Sequence, residues 1–383
     1  MRILIAVTSH LSYRLVQGQI KYLTSKGHDL YFCSSYCKDT EINVIEEGGK
    51  YIPLNLDREI NVFKDFLSVY KAYKILKKIQ PDIINISTAK ASFVFSLASL
   101  IYRKTIVVHT LRGLRSDTLK GLKYSVVKFT ETLMCSISDK VIVISPSLKT
   151  HVTYKKILKP HKTIVFGKGS SNGINVERFS PTTNNTLAAN LFRNKNDINK
   201  DDVVFGHVGR VVNDKGIVEL YDAFEVLKKL KYNVKLLLVG SLHEEDRISD
   251  ELIERIKEDK DVYWLDYTSR IEVIFTAIDV LVLYSYREGF GNVVIEAAAM
   301  YKPAIVANIP GLKDTVVNNT TGLLCPPKDK NKLVDKMIIL YENKELRLKM
   351  GVNGRERVLD YFSNEIIWNH LQKLYQSLYN SNC

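Results

Sequence analysis

Long apolar runs are what this sequence most plainly lacks. It opens MRILIAVTSH, where the apolar stretch Ile3–Val7 is short and no small-residue cleavage site follows, so a secretory leader is not expected. The most apolar later stretch, Ala91 to Tyr102, is broken by three Ser and runs to about twelve residues where a membrane span needs about twenty. The expectation is a chain that is neither exported nor membrane-spanning, with the first run a buried strand. Cysteine is sparse: Cys33, Cys37, Cys135, Cys325 and Cys383 are scattered, and the Cys33/Cys37 pair has no matching second pair, so neither a zinc site nor a disulfide framework is built from them. Such scatter fits thiols in a reducing cytosol. No G-x-G-x-x-G follows the first strand, which argues against a dinucleotide oxidoreductase. No acidic metal-binding motif is read, and no metal or other cofactor is expected.

Charge is abundant but one-sided. The formal net charge is +13; residues 1–171 hold 27 Lys and Arg against 12 Asp and Glu, a balance of +15, and the remainder carries −2. A basic half beside a nearly neutral one suggests an anionic partner: lipid headgroups, phosphates or nucleic acid.

At 383 residues the chain suits two domains. Residues 1–165 alternate short apolar strands (3–7, 30–34, 83–86, 105–108, 141–144) with amphipathic helices. Among the helices, Val62–Ile79 places Phe63, Phe66, Leu67, Tyr70, Tyr73 and Leu76 at helical spacing, with Lys64, Lys71, Lys74, Lys77 and Lys78 on the other face. Residues 166–200 are rich in Gly, Ser and Asn and read as a linker. Alternation restarts over 201–362, and 363–383 is an amphipathic helix expected to pack back on the first domain. Strands alternating with helices imply parallel sheets covered on both faces. Two such doubly wound units are expected to face a central cleft at the carboxyl ends of their strands.

Two clusters carry chemistry. In Val208 to Gly216, VGRVVNDKG, Gly209 and Arg210 end a strand and Lys215 opens the next helix. Two cations beside free backbone amides suit a diphosphate. In Arg287 to Ala298, REGFGNVVIEAA, Glu288 precedes the turn Gly289-Phe290-Gly291-Asn292, and Glu296 lies inside an apolar helical run. An unpaired carboxylate there is costly; a ribose diol or a nearby Lys or Arg would satisfy it.

With MRILIAV, GSSNGINVERF, the two Glu eight apart and TGLLCPPKD, these clusters make the chain resemble the retaining glycosyltransferases of the GT-B fold, family four. HTLRGLRSDT and GSSNGIN are similar to members that build bacterial capsule, O-antigen or lipid-linked repeat units. The resemblance implies a hexosyl or N-acetylhexosaminyl transferase using a nucleotide-sugar, UDP-linked for preference, without metal and with retention. Arg210 and Lys215 would neutralise the diphosphate, Glu296 would hold the ribose, and Glu288 would contact the transferred sugar. Gly209, Phe290, Gly291, Asn292 and Val293 would supply backbone contacts, and Tyr267 would lie near the base. His109, ending the strand 105–108, would face the sugar from the first domain. His10, Arg14, Arg112 and Arg115 are candidates for the acceptor, expected to be a polyprenyl-diphosphate-linked sugar at the inner face of the cytoplasmic membrane. Two rivals stay open. A nucleotide-sugar epimerase on the same fold would need a richer acid/base set. A nucleic-acid binder would need exposed stacking aromatics on its basic helices, whose Phe and Tyr are expected on the apolar, buried face; no nucleic-acid partner is expected.

Overall fold

A computed structural model describes residues 1–57 and 62–381, so Cys383 lies outside the described residues. The chain divides into two units, Met1–Gly173 with Asn364–Cys383, and Ile174–Ser363. The first unit contains β1 (Arg2–Ala6), α1 (Gln19–Ser25), β2 (Asp29–Ser34), α2 (Lys38–Glu46), β3 (Lys50–Pro53), α3 (Val62–Ile79), β4 (Ile83–Ser87), α4 (Ala89–Tyr102), β5 (Ile106–Leu111), α5 (Gly121–Ile137), β6 (Lys140–Val143), α6 (Pro146–Tyr154) and β7 (Thr163–Ile164). The second contains α7 (Thr183–Lys195), β8 (Val203–Val208), α8 (Ile217–Lys229), β9 (Val234–Val239), α9 (Asp250–Glu258), β10 (Val262–Leu265), α10 (Ile271–Ala277), β11 (Val280–Leu283), α11 (Asn292–Ala299), β12 (Ala304–Ala307), β13 (Gly322–Cys325), α12 (Lys330–Glu342) and α13 (Lys344–Tyr361). The last helix, α14 (Asn364–Asn380), belongs to the first unit.

Both sheets are parallel and doubly wound. The first runs β3-β2-β1-β4-β5-β6-β7 and the second β10-β9-β8-β11-β12-β13. In each, the order steps one way from the first strand and then reverses, so crossovers of one hand put helices on both faces. The strands therefore read as continuous apolar runs. In β1, Ile3 and Ile5 face a core with Phe32, Ile142 and Tyr375, while Leu4 and Ala6 face another with Leu76, Ile84 and Phe95.

Helix α14 closes the first of these cores. Its Tyr375 is fully buried and its hydroxyl accepts from Asn85 Nδ2 at 2.7 Å, while Asn85 Oδ1 accepts from Thr110 at 2.8 Å. Trp368 lies over Gly18, at φ +78°, where a Cβ would meet the indole at 2.8 Å.

Three expectations change. The stretch read as a linker contains helix α7, capped by Thr182, whose side chain accepts from Asn185 N. Strand β5 runs on to Leu111, so His109 sits within the ladder, paired with Ile86 and Val141, and not at its end. On α3 the buried face is Asp65, Val69, Ala72, Leu76 and Ile79, whereas Phe63, Phe66 and Tyr70 face solvent. Periodicity admits either stripe, and the small Val69 and Ala72 let α3 lie close on α4.

Replacing Tyr375 with Phe strands the Asn85 amide in a buried site. The expected loss is about 1–3 kcal/mol of first-unit stability, read as a lower urea midpoint; an unchanged midpoint would remove α14 from the stabilising core.

Candidate active site

The second sheet reverses direction between β8 and β11, and ligands of open α/β sheets bind outside the carboxyl ends of strands at such a reversal. Both sequence clusters lie there. After β8 the backbone turns through Gly209, at φ +152°, and Gly240 backs onto it so closely that a Cβ on Gly240 would fall 1.8 Å from the Gly209 carbonyl oxygen. Lys215 ends a short 3-10 turn, and Gly216, at φ +68°, opens α8.

Across the reversal, the β11 loop returns the contact. Lys215 Nζ donates to Glu288 Oε1, which also accepts from Ser285 Oγ at 3.1 Å. Asp214 Oδ2 lies 3.5 Å from Arg210 and 3.6 Å from Arg287, tethering both guanidinium groups. Asp214 is itself fixed, its amide donating to Asp246 Oδ2 at 2.6 Å and its carbonyl accepting from Tyr286 N at 2.8 Å. Three cations, each leashed to a carboxylate and partly exposed, thus gather at one end of the sheet. Buried His207, in β8 behind them, adds no charge: burial, with Lys215 nearby, lowers its imidazole to about 4.

The turn 289–292 leads into α11. Phe290 is buried against Phe362, and Gly291 takes φ +86° as the helix cap. The loop after β12 packs on this turn through Gly311, where a Cβ would come within 2.5 Å of the Glu288 and Gly289 carbonyl oxygens. Glu296 follows on α11. Burial raises its carboxyl to about 7, with the charge of Arg178 pulling it back. Among the described residues no donor engages that carboxyl, so the Lys or Arg partner left open by the sequence is not formed. A carboxyl on the helix that follows this turn, at the same edge of the sheet as the three tethered cations, suits a ligand that is anionic at one end and carries hydroxyls at the other.

The structure therefore sets Gly209, Arg210, Lys215, Glu288, Phe290, Gly291, Asn292, Val293 and Glu296 along one carboxyl edge of the second sheet, at its reversal. Tyr267 lies beyond β10, two strands along the same carboxyl edge, and is 67% exposed. Sequence reasoning missed Asp214, Arg287, Gly240 and Gly311. Asp214 and Arg287 stand inside the two quoted clusters, and the glycines each follow a strand, which is the signal that was there. It also missed an Asp-x-Asp triplet, Asp259-Lys260-Asp261, contrary to the reading of no acidic motif. The triplet precedes β10, at the far end of the sheet, and Lys228 and Lys235 occupy its carboxylates at 2.5–2.8 Å.

In the first unit the acceptor candidates are dispersed. His10 follows β1, its Nδ1 3.3 Å from Ser35 Oγ, and Arg14 is exposed. His109 is a correction: it is 4% exposed, with Nδ1 4.0 Å from Cys135 Sγ of α5, and burial lowers it to about 4. Its place inside β5 turns it across the sheet face, so it does not project beyond the strand end. Arg112 also turns inward, donating to Ser171 Oγ and to Leu15 O at 3.5 Å, and burial lowers it to about 10. Arg115 stays exposed while its amide, and the amide and hydroxyl of Ser116, donate to buried Glu131.

Two doubly wound parallel units, one bearing this cradle at its reversal point, have the architecture of GT-B glycosyltransferases. A glycosyltransferase structure from Rickettsia africae matches with a TM-score of 0.80 at 22% identity over 98% of each chain. An Anabaena protein in complex with UDP matches with a TM-score of 0.81 at 19% identity, over 98% of this chain and 100% of that one. The chain belongs to the family of group 1, family 4 glycosyltransferases: the model of glycosyl transferases group 1 matches residues 189–357 and that of glycosyltransferase family 4 matches residues 14–178. It is 36% identical to a capsular polysaccharide biosynthesis glycosyltransferase of Staphylococcus aureus, across 97% of this chain and 96% of that one. It is 28% identical to an N,N'-diacetylbacillosaminyl-diphospho-undecaprenol alpha-1,3-N-acetylgalactosaminyltransferase of Campylobacter jejuni, across 86% of each.

A carboxyl raised from its ordinary value stays protonated in the folded chain where the unfolded chain has lost its proton. Folded stability therefore falls as pH rises from about 4.5 through about 7. Glu296→Gln is expected to remove that fall, leaving the variant about 3 kcal/mol more stable at pH 8 and equal to wild type near pH 4. Thermal melts across pH check it; a gap independent of pH would mean that Glu296 ionises normally.

Proposed function

We propose that this glycosyltransferase moves a hexosyl or N-acetylhexosaminyl group from a UDP-sugar to a polyprenyl-diphosphate-linked saccharide in capsule or related surface-polysaccharide assembly, with retention of configuration. The observation that carries the donor reading is the unpartnered Glu296 carboxyl on the same carboxyl edge as Arg210, Lys215 and Arg287. The ribose diol donates to Glu296, and the cations face the diphosphate. The names of the Campylobacter relative and of the Staphylococcus relative support the acceptor and the pathway class.

Bond cleavage leaves negative charge on the departing phosphate, and cations already fixed there lower the barrier without reorganising. The tether of Lys215 to Glu288 and of both Arg to Asp214 keeps the three near the phosphates. Glu288, at the turn, sits between Lys215 and the sugar. A front-side course, in which the departing phosphate helps take the acceptor proton, needs no covalent nucleophile, and the cations supply the neutralisation a metal would otherwise provide. No helix among the described residues is long and apolar enough to cross a membrane. Reaching a lipid-linked acceptor then calls for peripheral association at the inner face of the cytoplasmic membrane, which the basic first unit favours.

Lys215→Ala is expected to lower kcat/KM for the donor by on the order of a hundredfold or more, with the melting temperature little changed. Steady-state kinetics with UDP-sugars and the isolated lipid-linked acceptor test it, and near-normal turnover would refute the cationic role. In the same assay activity should persist in excess EDTA; complete loss, restored by magnesium or manganese, would contradict metal independence.

A further inference from the structure

Helices α3 and α5 carry apolar side chains on the wrong side for a folded core. On α3, Phe63, Phe66 and Tyr70 are 75%, 73% and 50% exposed, and on α5, Leu122, Val126 and Phe129 are 81%, 46% and 68% exposed. The spacing is i, i+3, i+7 on one helix and i, i+4, i+7 on the other, so each set is a single ridge. Each ridge lies opposite its helix's buried face, which is Val69, Ala72 and Leu76 on α3 and Glu131, Met134 and Cys135 on α5.

The topology brings the two ridges together. From β3 the sheet order steps in one direction through β4, β5 and β6, so α3, α4 and α5 lie on one face of the first sheet, and α4 packs against both of its neighbours. Each helix runs back against its parallel strands, so its first half lies at the carboxyl end of the sheet. Both ridges occupy those first halves.

Charge names the occupant. The acids of these helices are Asp65 and Glu131, and both are buried, Asp65 against Lys90 at 2.5 Å. Lys71, Lys74, Lys77, Lys78 and Lys123 are exposed beside or behind the ridges, with Lys74 over the Tyr70 ring at 4.6 Å. Apolar side chains fringed by Lys, with no exposed acid on either helix and the nearby exposed Asp57 paired with Lys64 at 2.9 Å, match a surface that is apolar inside and anionic at its rim.

We infer that the α3 and α5 ridges insert into the interface of an anionic bilayer and seat the first unit with the carboxyl end of its sheet toward the lipid. This deepens the membrane-side part of the proposed function and is independent of the donor site. Electrostatic attraction alone fades as salt screens it; insertion of rings does not.

The test is flotation of the full chain with vesicles of phosphatidylglycerol and phosphatidylcholine in equal parts, and of phosphatidylcholine alone, at low and at molar salt. Wild type should bind the anionic vesicles and keep part of that binding at molar salt. The double variant Phe66→Ser, Phe129→Ser should lose about 10- to 100-fold in partition at low salt and all binding at molar salt, with an unchanged melt and unchanged transfer to a soluble short-chain acceptor. Three results each overturn the inference: no binding of wild type to anionic vesicles, equal partition of the Ser variant, or a wild-type dimer in sedimentation equilibrium that the Ser variant abolishes, which would assign the ridges to a second copy. A donor-site failure would instead appear as lost transfer to the soluble acceptor in wild type.

Discussion

Gly216 lies so near the carbonyl oxygen of Tyr284 that a Cβ would stand 2.3 Å from it. That approach locks the turn after β8 to the loop after β11, and the chemistry of the second unit depends on it. Without it Lys215 and Glu288 would belong to two separate loops. With it they form one ion pair, Asp214 reaches both Arg210 and Arg287, and the amide of Tyr286 closes on the Asp214 carbonyl. No side chain fits at such a distance, and the left-handed φ of +68° suits glycine besides. Gly311 and Gly240 repeat the device on either flank, so backbone-to-backbone contact holds the loops that carry the charged groups.

The same cradle carries a cost in stability. Cations are leashed to carboxylates, but Glu296 has no leash, and burial pushes its carboxyl up to about 7. A core built only for stability would have Gln or an apolar residue there. Under the proposed function the retained carboxyl is an acceptor for hydroxyls that arrive with a ligand, a functional site keeping a partly buried carboxyl at some expense of stability.

Much of this was legible in the sequence, for reasons specific to each element. Strands buried on both faces, such as Val203–Val208 and Val280–Leu283, announce themselves as unbroken apolar runs, and the residues that follow them are the site. Arg287 and Asp214 escaped because a charged residue in a loop looks the same whether it is solvated or tethered; only the fold puts 3.6 Å between them. His109 was misplaced because strand ends are not encoded sharply: Thr110 and Leu111 continue β5 as readily as they could leave it. The face of α3 was misread because it carries two apolar stripes. Size decided between them, Ala72 and Val69 fitting under α4 where Phe63 and Phe66 do not, and hydropathy cannot register that.

The first unit is finished by its most distant segment. Its chain departs at Gly173 and returns at Asn364, after roughly 190 residues of the second unit. During synthesis at roughly 5–20 residues per second, the face that will receive Ile367, Leu371 and Tyr375 waits on the order of 10–40 s for its cover. Through that interval Ile3, Ile5 and Phe32 present a sticky surface on the ribosome. Apolar surface left uncovered for that long is the kind that aggregates before folding completes, so the order of the chain, more than the strength of the finished core, sets the hazard of making it.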